Sequence, residues 1–159
     1  MRFKQLDHIV RLEPGVKIEA ICCLHGTEDY LADHFPRFPV MPGVLMLEAL
    51  FQAAALLVRA TDNYRLGLVL LREAKNVKFS DFVQPGEKLM VSAEIIKQDE
   101  ESTIIKATGK KMDSVAVSAR LVVDRRTIEG GPELTYADRH ASHCMRELTQ
   151  RLMQTPVPS

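Results

Sequence analysis

The stretch HFPRFPVMPGVLMLEALFQAAALLVRA, residues 34–60, changes character at Pro42 and decides the reading of the whole chain. Before Pro42 the prolines at 36 and 39 break every helical or strand period. From about Gly43 to Ala60 the sequence is apolar almost without interruption, and Pro42 lies in the first turn of the helix this predicts, where a missing N–H costs nothing. A surface helix would show a wide polar face; this one shows almost none, so it must be covered by protein on all sides. Glu48 and Gln52 interrupt the run, which is shorter than the roughly 20 residues of a membrane span. The expectation is a buried helix of a soluble fold.

Upstream, Val16, Ile18, Ala20, Cys22 and Leu24 alternate as one face of a half-buried strand, and residues 9–12 form a shorter strand stopped by Pro14-Gly15. Residues 26–42 read as a long, ordered, irregular loop, a feature that in a small domain usually carries function. Downstream, residues 66–79, bent near Lys75-Asn76, and residues 88–97, 102–111 and 114–124 read as strands. Leu89, Val91, Ala93 and Ile95 share one face, as do Val115, Val117, Ala119, Leu121 and Val123. One buried helix followed by an antiparallel meander predicts an α+β fold with the sheet wrapped around the helix. Residues 1–129 make one domain. After the break at Gly130-Gly131-Pro132, residues 130–159 form a tail in which Leu134 to Gln154 read as an amphipathic helix, capped by Thr135, with Ala141, Met145, Leu148 and Leu152 on one stripe.

The 159 residues carry 21 basic and 21 acidic side chains, for a formal net charge of zero. That balance argues against a nucleic-acid partner, whose binding would need a basic field. Three cysteines, Cys22, Cys23 and Cys144, make neither a disulfide framework nor a CxxC pair, and the first residues have no secretory pattern, so a reducing, cytoplasmic setting is expected. His140, His143 and Cys144 lack the further ligands a metal site needs. Met41, Met46 and Met90 read as core filling.

Three residues could do chemistry. His34 stands among Phe35, Phe38 and the prolines, an apolar surrounding that would poise an imidazole near neutral pH, although a histidine in a loop can equally do no more than satisfy a hydrogen bond. Glu48 sits in an otherwise apolar helix with no Lys or Arg four positions away. Gln52, one turn on, could donate to it, which suits a general acid as well as a paired structural carboxylate. Gly43 leaves a backbone N–H near the positive end of the helix dipole, where an oxyanion could bind, or simply permits a tight turn.

The segment His34 to Gln52 resembles the signature of the (3R)-hydroxyacyl-[acyl-carrier-protein] dehydratases of bacterial type II fatty-acid synthesis, which have the hot-dog fold. Leu6-Asp7, Leu12-Glu13-Pro14-Gly15, Val77-Lys78-Phe79 and Val83-Gln84-Pro85-Gly86-Glu87 extend the resemblance over roughly residues 5–125. It implies that His34 takes the C2 proton, that the Gly43 amide polarises the thioester carbonyl and that Glu48 protonates the departing C3 hydroxyl. It also implies no cofactor, and a homodimer in which the base and the acid of one site come from different subunits, assembled further as a trimer of dimers. Phe79 is expected near an apolar acyl tunnel at the subunit interface. The partner implied is an acyl carrier protein, whose acidic surface would meet cations drawn from Arg59, Arg65, Arg72, Lys75, Lys78 and Lys88. The chain carries Asp33 where the family usually has Gly, and Ser80-Asp81 where the family often has basic residues. The competing readings are a thioesterase on the same fold, which needs no histidine so placed, and a non-catalytic acyl-carrier-binding module.

Overall fold

The computed structural model describes residues 5–25, 28 and 39–156, so His34, Asp33 and most of the proline-broken loop lie outside the described residues. Six strands, β1 (His8–Glu13), β2 (Lys17–Cys23), β3 (Leu68–Phe79), β4 (Lys88–Gln98), β5 (Ser102–Lys111) and β6 (Ser114–Arg126), form one sheet in the order β1-β2-β4-β5-β6-β3. Every pairing is antiparallel. Helix α1 (Gly43–Thr61) packs against β2 through β6, and helix α2 (Tyr136–Gln154) follows the sheet.

Cross-strand register explains how a sheet can curve around a helix. Ile18, Ala93, Ala107 and Ala119 stand opposite one another across β2, β4, β5 and β6, and Ala20, Val91, Gly109 and Val117 form the neighbouring row. All of these side chains are buried. Facing them, α1 brings Ala49, Ala53 and Ala54, each fully buried. Small residues on both surfaces bring helix and sheet close, while Leu50, Leu57, Leu89, Ile105 and Leu121 fill the flanks to close-packed density.

The expected alternation holds for Ile18, Ala20, Cys22 and Leu24, all buried, but Val16 lies before the strand and is exposed. Val115 also falls at a strand start and is exposed, while Val117 to Val123 on its face are buried. The bend expected near Lys75-Asn76 is present: Asn76 has a φ of 53° and the pairing with β6 shifts register between Lys75 and Lys78.

Two findings differ from the expectations. Arg59 is not a surface cation; it is only 9% exposed and donates to the carbonyls of Leu66 and Gly67 at 3.4 and 3.2 Å. Nor do the described residues cover α1 on every side. Val44 is 70% exposed, and Leu47, Glu48, Phe51, Gln52 and Ala55 are only half-buried. The physical reason is that the sheet curls around one side of the helix and stops at its two edge strands, β1 and β3.

Helix α2 closes part of that gap, packing on β1 and on α1. Its start is tied down by one carboxylate. Asp138 completes a capping box with Thr135, accepting from the Thr135 N–H at 2.9 Å while Thr135 Oγ1 accepts from the Asp138 N–H. The other oxygen of Asp138 accepts from the N–H groups of Ile128 at 2.8 Å and Gly67 at 3.2 Å, so β6, the entry to β3 and α2 meet at one buried side chain. Position 67 must be glycine for this contact, because a Cβ there would stand 2.4 Å from Asp138 Oδ1. Further along, Arg146 donates to the Asn63 carbonyl at 3.1 Å and lies over the Tyr64 ring, which ties α2 to the turn after α1.

The N–H of Thr135, helped by Ile128, the Thr135 hydroxyl and Gly67, holds the Asp138 carboxyl below the usual carboxylate range against the opposing effect of burial. A depressed folded-state pKa contributes stability that is complete above the unfolded value, about 4, and is lost as pH falls through the folded one. Thermal unfolding of the parent and of Asp138→Ala should therefore differ by a constant margin above about pH 5 and converge at lower pH. A margin unchanged down to about pH 2 would show that the ionised carboxylate does not hold α2.

Candidate active site

Glu48 and Gln52 lie one turn apart on the strip of α1 that the described residues leave open. Gln52 Nε2 donates to Glu48 Oε1 at 3.1 Å. The other end of the same amide is held too, since Gln52 Oε1 accepts the backbone N–H of Gln5 at 2.8 Å. That second bond orients the amide with its NH2 group toward the carboxylate. Gln5 gives no sign of this in the sequence, because any residue except proline can supply a main-chain donor.

Gly43 begins α1, so its N–H has no intrahelical acceptor and sits at the positive end of the helix dipole. A Cβ at position 43 would stand 3.0 Å from Cε1 of Phe79. The absence of a side chain thus lets the ring of Phe79, at the end of β3, lie against the helix start. Together with Val40, Met41, Met46 and Phe82 they line a recess of about 380 Å³. Phe79 and Phe82 are more than half exposed there.

The structure thus joins Glu48 to Gln52 and Gly43 to Phe79, as two contacts at neighbouring levels of one helix. The expected base, His34, lies outside the described residues. The remaining histidines belong elsewhere: His8 is buried in β1, His25 is exposed just after β2 with its backbone N–H donating to Glu28, His140 stacks on Tyr136 and lies 3.7 Å from Cys144, and His143 pairs with Glu147. Among the described residues no three His, Cys, Asp or Glu side chains are grouped to hold a metal ion. Cys22 is buried in the core, and burial, with Asp7 nearby, pushes the Cys23 thiol up.

A second apolar feature was not legible in the sequence. Where α2 crosses α1, a cavity of about 300 Å³ lies between Phe51, Gln52, Ala55 and Leu56 on one helix and Met145 and Leu148 on the other. Gln52 and Phe51 belong both to this cavity and to the open strip carrying Glu48.

Residues 1–125 match the model of the FabA-like domain. Among curated relatives, the 3-hydroxyacyl-[acyl-carrier-protein] dehydratase FabZ of Levilactobacillus brevis is 34% identical over 73% of this chain and 78% of its own length. FabZ of Thiobacillus denitrificans is 38% identical over 68% of this chain and 75% of its own length. Among solved structures, the dehydratase heterocomplex ApeI:P from Xenorhabdus doucetiae superposes with a TM-score of 0.67 at 15% identity, covering 80% of this chain and 86% of that one, a likeness of fold. A sheet wrapped around one apolar helix, the Glu48–Gln52 pair on that helix and these matches lead to one conclusion: the chain is a hot-dog protein and belongs to the FabA-like family, with the FabZ dehydratases among its relatives.

Proposed function

We propose that the protein dehydrates (3R)-3-hydroxyacyl thioesters carried on acyl carrier protein to trans-2-enoyl thioesters, in fatty-acid biosynthesis or a related lipid or polyketide pathway. The observation that carries this reading is the oriented carboxylate: Glu48, held by an amide that is itself held by the Gln5 backbone, on a strip of α1 that the described residues leave open. Membership of the FabA-like family supports the same chemistry.

In this mechanism His34 removes a proton from C2 of the substrate. Charge develops on the thioester oxygen, and the Gly43 N–H stabilises it with the helix dipole behind it. The C3–O bond breaks as protonated Glu48 delivers its proton to the leaving hydroxyl, and water departs. Gln52 keeps the Glu48 carboxyl aimed at that oxygen. Phe79, against Gly43, shields the thioester from solvent. The products are the enoyl thioester and one water, and His34 returns its proton to Glu48 through solvent. No cofactor enters the scheme.

The working unit in this proposal is a homodimer, which could assemble further into a trimer of dimers. Two features support it: the open apolar strip of α1, and edge strand β3, which exposes Leu70 and Leu71. An uncovered edge and an uncovered apolar helix face on the same side invite a second copy. Docking of that copy would bring the loop holding His34 of one subunit to Glu48 of the other.

Hydration of trans-2-enoyl thioesters by the purified protein, the reverse reaction, is expected to fall by roughly a hundredfold or more in His34→Ala and in Glu48→Gln. Release of free thiol instead of hydration would make the protein a thioesterase, and carrier binding without turnover would make it a binding module. Sedimentation should show a dimer for the parent, and Leu47→Asp on the open strip should yield an inactive monomer. An active monomeric parent would overturn the shared site.

A further inference from the structure

We infer that the outer face of the sheet, on the side away from α1, carries a binding site for a short polyphosphate chain of the kind a nucleoside triphosphate bears, formed by Lys78, Lys106, Lys110 and Arg120 around the hydroxyls of Thr108 and Ser118. This goes beyond the dehydration reading and does not depend on it.

Cross-strand register builds the site. Ile105, Ala107, Ala119 and Leu121 turn into the core, so their neighbours Lys106, Thr108, Ser118 and Arg120 face outward. Lys106 on β5, Arg120 on β6 and Lys75 on β3 stand directly opposite one another. Thr108, Ser118 and Lys78 form the next outward row, and Lys110 lies two residues beyond Thr108. Opposite residues in such a sheet have Cβ atoms about 5 Å apart, and successive outward rows are roughly 7 Å apart. The long side chains of four cations can therefore converge over two hydroxyls.

Like charges placed directly opposite across strands destabilise a sheet. Of the five cations only Lys75 has an acidic partner, Glu73 at 3.6 Å. Among the described residues Lys78, Lys106, Lys110 and Arg120 make no ion pair, and the hydroxyls of Thr108 and Ser118 have no hydrogen-bond partner. In a chain of zero net charge, composition does not force such a gathering. A bound anion removes the repulsion, and the lysines, the guanidinium and the two hydroxyls donate to its oxygens.

The layout also sets the size of the ligand. The cations span three strands, a width of about 10 Å, which is too broad for one phosphate and suits two or three linked ones. Carboxylates bound the patch on both sides: Glu73 on β3, and Glu19 and Glu94 on the far wall of a shallow recess of about 330 Å³ next to Thr108. A long polyanion such as a nucleic-acid strand would run onto those carboxylates, whereas a short chain stays among the cations. The recess, where Met90 and Ser92 lie beside Thr108, leaves room for a small group attached to the chain.

The test is calorimetric titration of the full chain with inorganic tripolyphosphate, ATP and citrate, beside Lys106→Gln and Arg120→Gln. Tripolyphosphate is expected to bind the parent and raise its melting temperature, and to bind each variant roughly tenfold or more weakly. Without anion, both variants should melt at or above the parent's temperature, because each loses a like-charged neighbour. ATP binding at least as tight as that of tripolyphosphate makes a nucleotide the ligand, and tighter tripolyphosphate makes it the free chain; either result upholds the site. No binding to the parent, equal binding to the variants, or citrate binding as tight as that of tripolyphosphate overturns it. If tripolyphosphate does not bind while Lys106→Gln and Arg120→Gln raise KM for a carrier-bound enoyl substrate, the face docks the carrier protein and the polyphosphate site is refuted.

Discussion

Leu50, Ala53, Ala54 and Leu57 leave water completely, and they belong to a helix whose other faces are nearly as apolar. A flat layer could cover only one side of such a helix. The sheet instead curls, which is possible because small side chains occupy the middle rows of four strands and meet the alanines of α1. Hydrophobic burial of a single helix therefore sets the curvature of the sheet, the order of its strands and the position of its two edges.

The same constraint defines the site. Because a curled sheet ends at β1 and β3, one side of α1 remains for other surfaces to cover, and the two halves of that side are treated differently. Toward its C-terminal end, α2 crosses over it, fastened by the buried Asp138 carboxylate and by Arg146. Toward its N-terminal end, Val44, Leu47, Glu48 and Phe51 stay open. Glu48 thus sits at the boundary between a half that α2 partly covers, leaving an apolar groove, and an open half suited to a second subunit. Gln52 spans the boundary and touches both.

Asp138 shows how the helix that follows the sheet is fastened to it through one side chain. The two backbone donors it joins, at Gly67 and Ile128, flank the ends of β3 and β6, and the capping box supplies the rest of its partners. The requirements are local: a glycine at 67, a chain that turns back after β6, and the Thr135-x-x-Asp138 spacing at a helix start.

Much of this was legible from the chain alone. Helix α1, the alternating strands, the bend at Asn76 and the Thr135 cap follow from local rules of periodicity, turn chemistry and capping, which act over a few residues and leave their mark in sequence. The Glu48–Gln52 contact was legible for the same reason, being an i to i+4 pair. The segment from His34 to Gln52 was also enough to suggest the family. Other features depend on residues distant in sequence and were settled by packing. They include the Gln5 N–H that orients Gln52, the burial of Arg59 beneath the turn after α1, the meeting of Gly67, Ile128 and Asp138, and the cavity between two helices nearly a hundred residues apart. A cation at the end of a helix reads as solvated, and an amphipathic tail reads as free to dock anywhere, until the curled sheet fixes which surface it leaves uncovered. Sequence determined the elements and the polar pair on α1. Tertiary structure decided what covers that helix, because coverage depends on where the edges of the sheet come to rest.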